Sequence, residues 1–199
     1  MACHLAEIVP ITIIGIDNNP SCIEMAQKFA SQRGLNPRVL FSVAQMDTFD
    51  LKAIKRKVSL VYSVDALQYS LNISQCFQNI AAHLKVLGYL YATMWCFDQH
   101  IAQLALDWGF SKVHSVDQIR EACRLAGFVI IEFQDAGEIF ANRCRASLAS
   151  WQALEHILRR KIGSRNYEKR LSLEKRTVEA VESSFLRQMR IKLKLVELL

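Results

Sequence analysis

Glycine and proline are scarce in this chain, at 7 and 3 of 199 residues, while 51% of the residues are apolar. That composition excludes a disordered or low-complexity protein and points to a helix-rich globular one, long enough for a sizeable core. No CxxC and no paired spacing occurs among Cys3, Cys22, Cys76, Cys96, Cys123 and Cys144. A zinc site or disulfide framework is thereby disfavoured, and reduced, mostly buried thiols are expected. No apolar run approaches the roughly 20 residues needed to cross a bilayer. Nor does a basic segment followed by a long apolar core open the chain, so a cytoplasmic protein with no transmembrane segment is expected. A glycine-rich turn is also missing ahead of the first strand, which begins about ten residues after Met1.

What is present is divided unevenly by charge. Residues 1–142 carry 11 Lys and Arg against 13 Asp and Glu, whereas residues 143–199 carry 14 against 6. The basic clusters Arg159-Arg160-Lys161, Arg165, Lys169-Arg170 and Lys175-Arg176 are interleaved with Leu, Ile and Glu. A face of that kind can meet phosphates of nucleic acid or lipid, or it can be the solvated side of an amphipathic helix pair. No aromatic stacking series accompanies the charges, so the solvated pair is the preferred reading.

Hydrophobic periodicity alternates between strand and helix. Strands are expected at Ile11–Ile16, Val39–Val43, Val58–Ser63, Tyr89–Met94 and Phe128–Phe133, with helices at Cys22–Gln32, Ser74–Leu84 and Val116–Ala126. Gly34 and Gly127 suit helix C-caps, and Leu87-Gly88 suits a turn. Beyond Gly137, Ser147–Lys161 and Tyr167–Ser183 read as two helices. Phe185–Val196 reads as a final strand paired antiparallel on the sheet edge. The order implies an α/β sandwich with a mostly parallel sheet and right-handed crossovers.

The first strand, Ile11-Thr-Ile-Ile-Gly-Ile-Asp17, is apolar until it ends in a carboxylate, and Asn19-Pro20-Ser21 then starts a helix. In open α/β sheets ligands sit off the carboxyl ends of the strands, where an acid commonly takes the two hydroxyls of a ribose.

The ordered segments IIGIDNNPSCIEMAQKFASQRGL, VLFSVAQMDTF, VSLVYSVDALQYS, CFQNIAAHLKVLGYLYATMW, VDQIREACRLAGFVIIEF and VEAVESSFLRQMRIKLKL resemble a class I S-adenosylmethionine-dependent methyltransferase. The likeness is to the branch that modifies small molecules and runs from about residue 3 to residue 195. It implies a Rossmann-like methyltransferase sandwich with an antiparallel C-terminal strand, as a single domain. Residues 1–97 would form the cofactor-binding half, and residues 98–199 the substrate-side region and closing strands. The family's turn before the fifth strand is usually L-x-P-G-G; here it is Leu84-Lys-Val-Leu-Gly88.

Carried onto this sequence, the resemblance implies that Asp17 accepts from both ribose hydroxyls of S-adenosyl-L-methionine. Asn18 packs beside the adenine or simply forms the turn. Gln45 stands where the family usually has an Asp that accepts from the adenine amino group, so that contact is uncharged here. Met46 offers its N–H and side chain to the adenine, or is a core methionine. Ser63 and Val64 flank the methionine portion. Asp65 and Gln68 begin the loop where the acceptor meets the sulfonium, although Asp65 also suits a helix cap. Trp95, with Phe97, Trp108 and Phe110, forms a lid over an apolar acceptor or packs as ordinary core. The catalytic residue is unknown, with His100 and Asp98 as candidates for a general base; such a base is required only when the acceptor must lose a proton. His83, near a helix C-terminus, is expected to contact carbonyls. No metal site is expected.

Family members begin with a central strand and a G-x-G-x-G turn, and here MACHLAEIVP matches only the later part of the helix that follows. The missing strand would lie mid-sheet between the Ile11 and Val58 strands, leaving two buried edges unpaired or drawing those strands together. The expected function is methyl transfer to a small, apolar acceptor. The first alternative is a truncated or non-catalytic relative with weak or no cofactor binding. The second is an RNA-directed methyltransferase, although nucleic acid is the less expected partner.

Overall fold

A computed structural model describes residues 2–50 and 57–196. The chain divides into two compact units, residues 1–56 and 57–199.

In the first unit, α1 (Ala2–Ile8) leads to β1 (Ile13–Asp17), α2 (Pro20–Gln32) and β2 (Val39–Val43). β1 and β2 pair in parallel, from Ile13 opposite Val39 to Asp17 opposite Val43. α2 starts where expected because Asn19 caps it, its side-chain oxygen accepting from Ser21 N at 3.0 Å, with Pro20 in the first turn. Cys3, Ala6, Ala30, Leu35 and Val39 form the buried cluster.

The second unit contains β3 (Val58–Val64), α3 (Ile73–His83), β4 (Leu84–Phe97), α4 (Ala102–Asp107), α5 (Val116–Leu125) and β5 (Phe128–Asp135). It continues with α6 (Gly137–Ala153), α7 (Glu155–Ile162), α8 (Ser164–Glu182) and β6 (Leu186–Leu195). Its sheet has the order β3-β4-β6-β5. β3 and β4 are parallel, while β6 runs antiparallel to both of its neighbours.

The closing strand is therefore not at the sheet edge, as its position in the sequence suggested. It is inserted between β4 and β5, and β5 is the edge. The physical reason is in its composition: Leu186, Met189, Ile191, Leu193 and Leu195 are all buried, which an edge position would not achieve. β4 is also longer than expected. Leu87 adopts a φ of 64°, so the anticipated turn is a kink within the strand. A Cβ on Gly88 would lie 2.8 Å from Lys85 O and 3.2 Å from Ser59 O, so only glycine fits beside β3.

The helices after β5 begin ten residues before the expected start at Ser147. The Asp135 carboxylate accepts from Gly137 N at 2.8 Å and opens α6 there. The anticipated helix at Ser147–Lys161 is broken at Leu154, and Gly163, with a φ of 82°, separates α7 from α8. Thr177 on α8 accepts from Trp108 Nε1 at 2.8 Å and donates to Leu173 O. Three of the tail's eight clustered cations are in ion pairs: Arg159 with Glu155 and Glu168, Arg170 with the buried Glu174, and Arg176 with Asp107.

Neither sheet joins the other. β1 has a strand neighbour on one side only, and so has β3, among the described residues. Leu60, Tyr62 and Val64 of β3 are exposed, and residues 13–16 of β1 are half-buried. No helix among the described residues is long and apolar enough to cross a membrane. Five of the six cysteines are buried, with Cys22 the exposed one, and none forms a disulfide.

Candidate functional site

At the carboxyl end of β1 the Asp17 carboxylate is exposed and accepts from Asn19 N at 2.8 Å through Oδ1. Its Oδ2 makes no hydrogen bond among the described residues. Asn18 is exposed beside it. The same unit carries Gln45 and Met46 in the turn after β2, with Gln45 exposed, Met46 half-buried and Thr48 N donating to Gln45 O at 3.2 Å. Two parallel strands thus end in a carboxylate and an amide, both open to solvent.

In the second unit the end of β3 is more elaborately built. Asp65 follows the strand with a φ of 48°, a left-handed conformation rarely adopted by residues other than glycine, asparagine and aspartate. Its amide donates to Thr93 O at 2.8 Å. Its carboxylate accepts from Thr93 Oγ1 at 2.9 Å and, through both oxygens, from Gln188 Nε2 at 2.8 and 2.9 Å. Gln188 is 2% exposed, and its Oε1 accepts from Arg143 Nη1 at 3.1 Å, while Arg143 Nη2 stands 3.8 Å from the carboxylate. Asp65 is therefore not a helix cap. Ala66 precedes the short 3-10 turn Leu67–Tyr69 without any side-chain cap. The carboxylate is tied to β4, α6 and β6, and each polar side chain in the cluster has a partner, which is the condition for a half-buried charge to be tolerated. Thr93, Arg143 and Gln188 were not singled out from the sequence; Arg143 and Gln188 lie 78 and more residues away, with no local pattern to betray them.

Ser63 is half-buried and Val64 exposed at the same strand end. Gln68 is 4% exposed, and among the described residues its Oε1 is a buried acceptor without a partner and the Trp95 Nε1 on β4 a buried donor without one. The Trp95 ring meets Trp108, Phe110 and Phe140 edge-on, at 5.4, 6.0 and 5.3 Å. Those aromatics belong to the core cluster that also holds Phe97, Leu104 and Leu186. The aromatic group is thus packed core on most sides.

Asp98 precedes the 3-10 turn Gln99–Ile101 after β4, and His100 lies within it. The Asp98 carboxylate accepts from His100 N at 3.0 Å and pairs with His100 Nδ1, and both residues are exposed. The backbone bond from His100 holds the Asp98 carboxyl below its usual pKa. The His83 Nδ1 lies 2.8 Å from Asn79 O, in contact with a helix carbonyl as expected. Among the described residues no group of His, Cys, Asp and Glu is arranged to hold a metal ion.

A methyltransferase domain model matches residues 2–161. No curated protein matches the chain in sequence. Among solved structures, a putative sarcosine dimethylglycine methyltransferase from Galdieria sulphuraria superimposes with a TM-score of 0.85 at 13% identity, over 98% of this chain and 73% of that one. A cyclopropane synthase from Mycobacterium tuberculosis gives 0.78 at 11% identity, over 93% and 70%. A phosphoethanolamine N-methyltransferase from Haemonchus contortus gives 0.80 at 15%, over 98% and 46%. With the domain match spanning most of its length, the chain belongs to the methyltransferase domain family, with the class I fold.

Proposed function

We propose that this chain transfers a methyl group from S-adenosylmethionine, the methyl donor of its family, to a small and predominantly apolar molecule. The observation that carries the donor side is Asp17: an exposed, acceptor-only carboxylate at the end of a parallel strand, with one oxygen unused among the described residues. A ribose presents two hydroxyl donors, and a strand-end carboxylate matches them in number and polarity. Asn18, Gln45 and Met46 would meet the adenine, and Ser63 with Val64 the methionine portion. We assign residues 1–97 to the cofactor-binding half of one domain, its Asp65, Gln68 and Trp95 facing the acceptor, and residues 98–199 to the substrate-side region and closing strands.

On the acceptor side, Trp95 and Gln68 offer one buried donor and one buried acceptor beside an aromatic group, and Asp65 is held rigidly by its three partners. A bound molecule that is mostly apolar with a polar end would satisfy both orphan atoms; an entirely apolar one would leave them unsatisfied, at a cost of about 1–3 kcal/mol each. The donor supplies an already activated methyl group, so the protein's task is to hold the acceptor in line with it. Where the acceptor must lose a proton, the His100–Asp98 pair provides an imidazole oriented by a carboxylate.

Titration of S-adenosylhomocysteine by calorimetry tests the donor side. Binding that Asp17→Ala weakens at least several-fold supports the ribose role. No heat at millimolar ligand retires it in favour of the second reading, a relative that kept the scaffold without the activity. That reading is favoured by one feature: Gly34, Gly109, Gly137 and Gly163 face open space, and Gly15 and Gly88, where a Cβ would clash, meet the Phe41 ring and strand backbone instead of lining a cradle.

A further inference from the structure

Among the described residues, Gln68 Oε1 and Trp95 Nε1 are the two fully buried side-chain polar atoms that lack a hydrogen-bond partner. Folded interiors leave few such atoms unsatisfied, and each one asks for an explanation. Both fall in one group of the second unit. The Leu67–Tyr69 turn packs against β4, the Tyr69 ring lies 4.6 Å from that of Phe110, and Phe110 meets the Trp95 ring at 6.0 Å. Trp108 and Phe140 close two further sides of the same indole, so its surroundings are set within residues 57–199. Tyr69 is 49% exposed and carries the group to the surface.

The neighbouring polar groups are already committed. Trp108 Nε1 donates to Thr177, and His114 Nε2 lies 2.8 Å from Ser70 O. The Asp65 carboxylate accepts from Thr93 and Gln188, and Arg143 is shared between Gln188 and Asp65. One buried donor and one buried acceptor remain for a visiting molecule.

Hydrogen-bonding capacity then selects the visitor's polar group. An indole N–H only donates, and an amide oxygen only accepts. A carboxylate or an ether has lone pairs for Trp95 but no proton for Gln68, and a carboxylate also sets its charge against the Gln68 oxygen. An ammonium donates to Gln68 and leaves Trp95 unmatched. A primary amide brings one N–H too many. A hydroxyl has one of each, its oxygen accepting from Trp95 and its proton going to Gln68.

We propose that the methyl acceptor carries a hydroxyl beside this aromatic group, with Gln68 and Trp95 as the residues that select it, so that the substrate class is an apolar alcohol or phenol. The inference rests on the acceptor-side reading above and needs no contribution from the donor. A site built to bond a hydroxyl rejects the analogue without one far more strongly than an apolar pocket rejects an extra methylene.

Nuclear magnetic resonance of the full chain with para-ethylphenol as probe tests it, the amide signals of Tyr69 and Phe110 reporting occupancy. The indole N–H signal of Trp95, identified by its loss in Trp95→Phe, should move downfield as the phenol binds, and the Trp108 signal should move less. para-Ethyltoluene, of the same shape without the hydroxyl, should bind at least about tenfold more weakly. para-Ethylanisole, para-ethylbenzoate and para-ethylbenzylamine should each fall below the phenol. In Gln68→Leu the phenol should lose its advantage over the anisole, and in Trp95→Phe the anisole its advantage over the toluene. Comparing ligands within one variant removes the effect of a general loosening of the core. Equal binding of phenol and toluene, tighter binding of the benzoate or the amine, no binding of the phenol, or a phenol advantage that both variants retain would each overturn the proposal. These titrations contain no S-adenosylhomocysteine. A calorimetric failure with that ligand beside a preserved phenol preference retires the methyl-donor reading alone, and the reverse result retires the hydroxyl alone.

Discussion

Residues 1–56 bury Cys3, Ala6, Ala30, Leu35 and Val39 beneath a single pair of strands, and leave Ile8, Met25, Phe29, Leu40 and Val43 exposed. Residues 57–199 place four strands between two helical layers. Phe77, Leu84, Leu90, Met94, Ile119 and Leu193 are fully enclosed there. The difference is one of sheet width. A two-stranded sheet can cover only one narrow face, and two strands with a helix are marginal in water, whereas four strands with a hydrophobic face on each side sustain themselves. The donor-side residues Asp17, Gln45 and Met46 lie on the less covered unit. The network about Asp65 lies on the better covered one.

Core truncation gives the largest effect and tests that contrast directly. Phe77→Ala should destabilise the second unit by about 3–5 kcal/mol and Leu35→Ala the first by about 2–5 kcal/mol. Followed in urea by near-ultraviolet signals from Trp95 and Trp108 and by amide exchange in β1 and β2, the two variants should shift different transitions. A single transition moved equally by both would show that the units melt together.

Alkaline pH should next act on the second unit. Burial pushes the Cys96 and Cys123 thiols up to about 12, with Asp135 adding to the effect on Cys96. In the unfolded chain these thiols ionise near 9, so between pH 9 and about 12 unfolding releases protons that the folded state retains. Stability therefore falls as pH rises through that window and is complete below it. Urea midpoints from pH 7 to 11 should decline for the second unit, and Cys22 should react with a thiol reagent well before Cys96 or Cys123.

Gln188→Leu removes the Nε2 group that donates to both oxygens of the half-buried Asp65 carboxylate and should cost about 1–3 kcal/mol. It should also release the bond from Thr93, seen as faster exchange of the Asp65 amide. The smallest effect is expected from the helix caps. Asn19→Ala on α2 and Ser115→Ala on α5 should each cost about 1 kcal/mol. The loss at Ser115 should be the greater, because Ser115 and Gln118 form a reciprocal capping box.

The fold was readable wherever local chemistry decides. The apolar run before Asp17, the Asn19-Pro20 start of α2 and the Gly127 end of α5 all act within a few residues. So do the strands at Val39, Val58 and Phe128. The position of β6 was not readable, because alternation identifies a strand but not its neighbours, and only its pairing with β4 on one side and β5 on the other shows it to be internal. The helices after Gly137 were misplaced because Ala-rich segments such as Ala141–Ser150 carry little periodicity. At the site, residue type and strand-end position marked Asp17 and Asp65 in advance. Gln188 and Arg143 escaped notice since neither has a sequence neighbour that needs it; their partner is supplied by the fold alone.

The clasp between Gln188 and Asp65 spans 123 residues, with its amide on the last strand and its carboxylate at the end of the third. A nascent chain leaving the ribosome therefore presents β3 and β4 long before the group that locks their loop has been synthesised. Folding of this region must wait for the final strand to slide between two already formed ones, a slow, high-contact-order step. A polypeptide lacking the last dozen residues should keep its helices yet leave Asp65 unclasped.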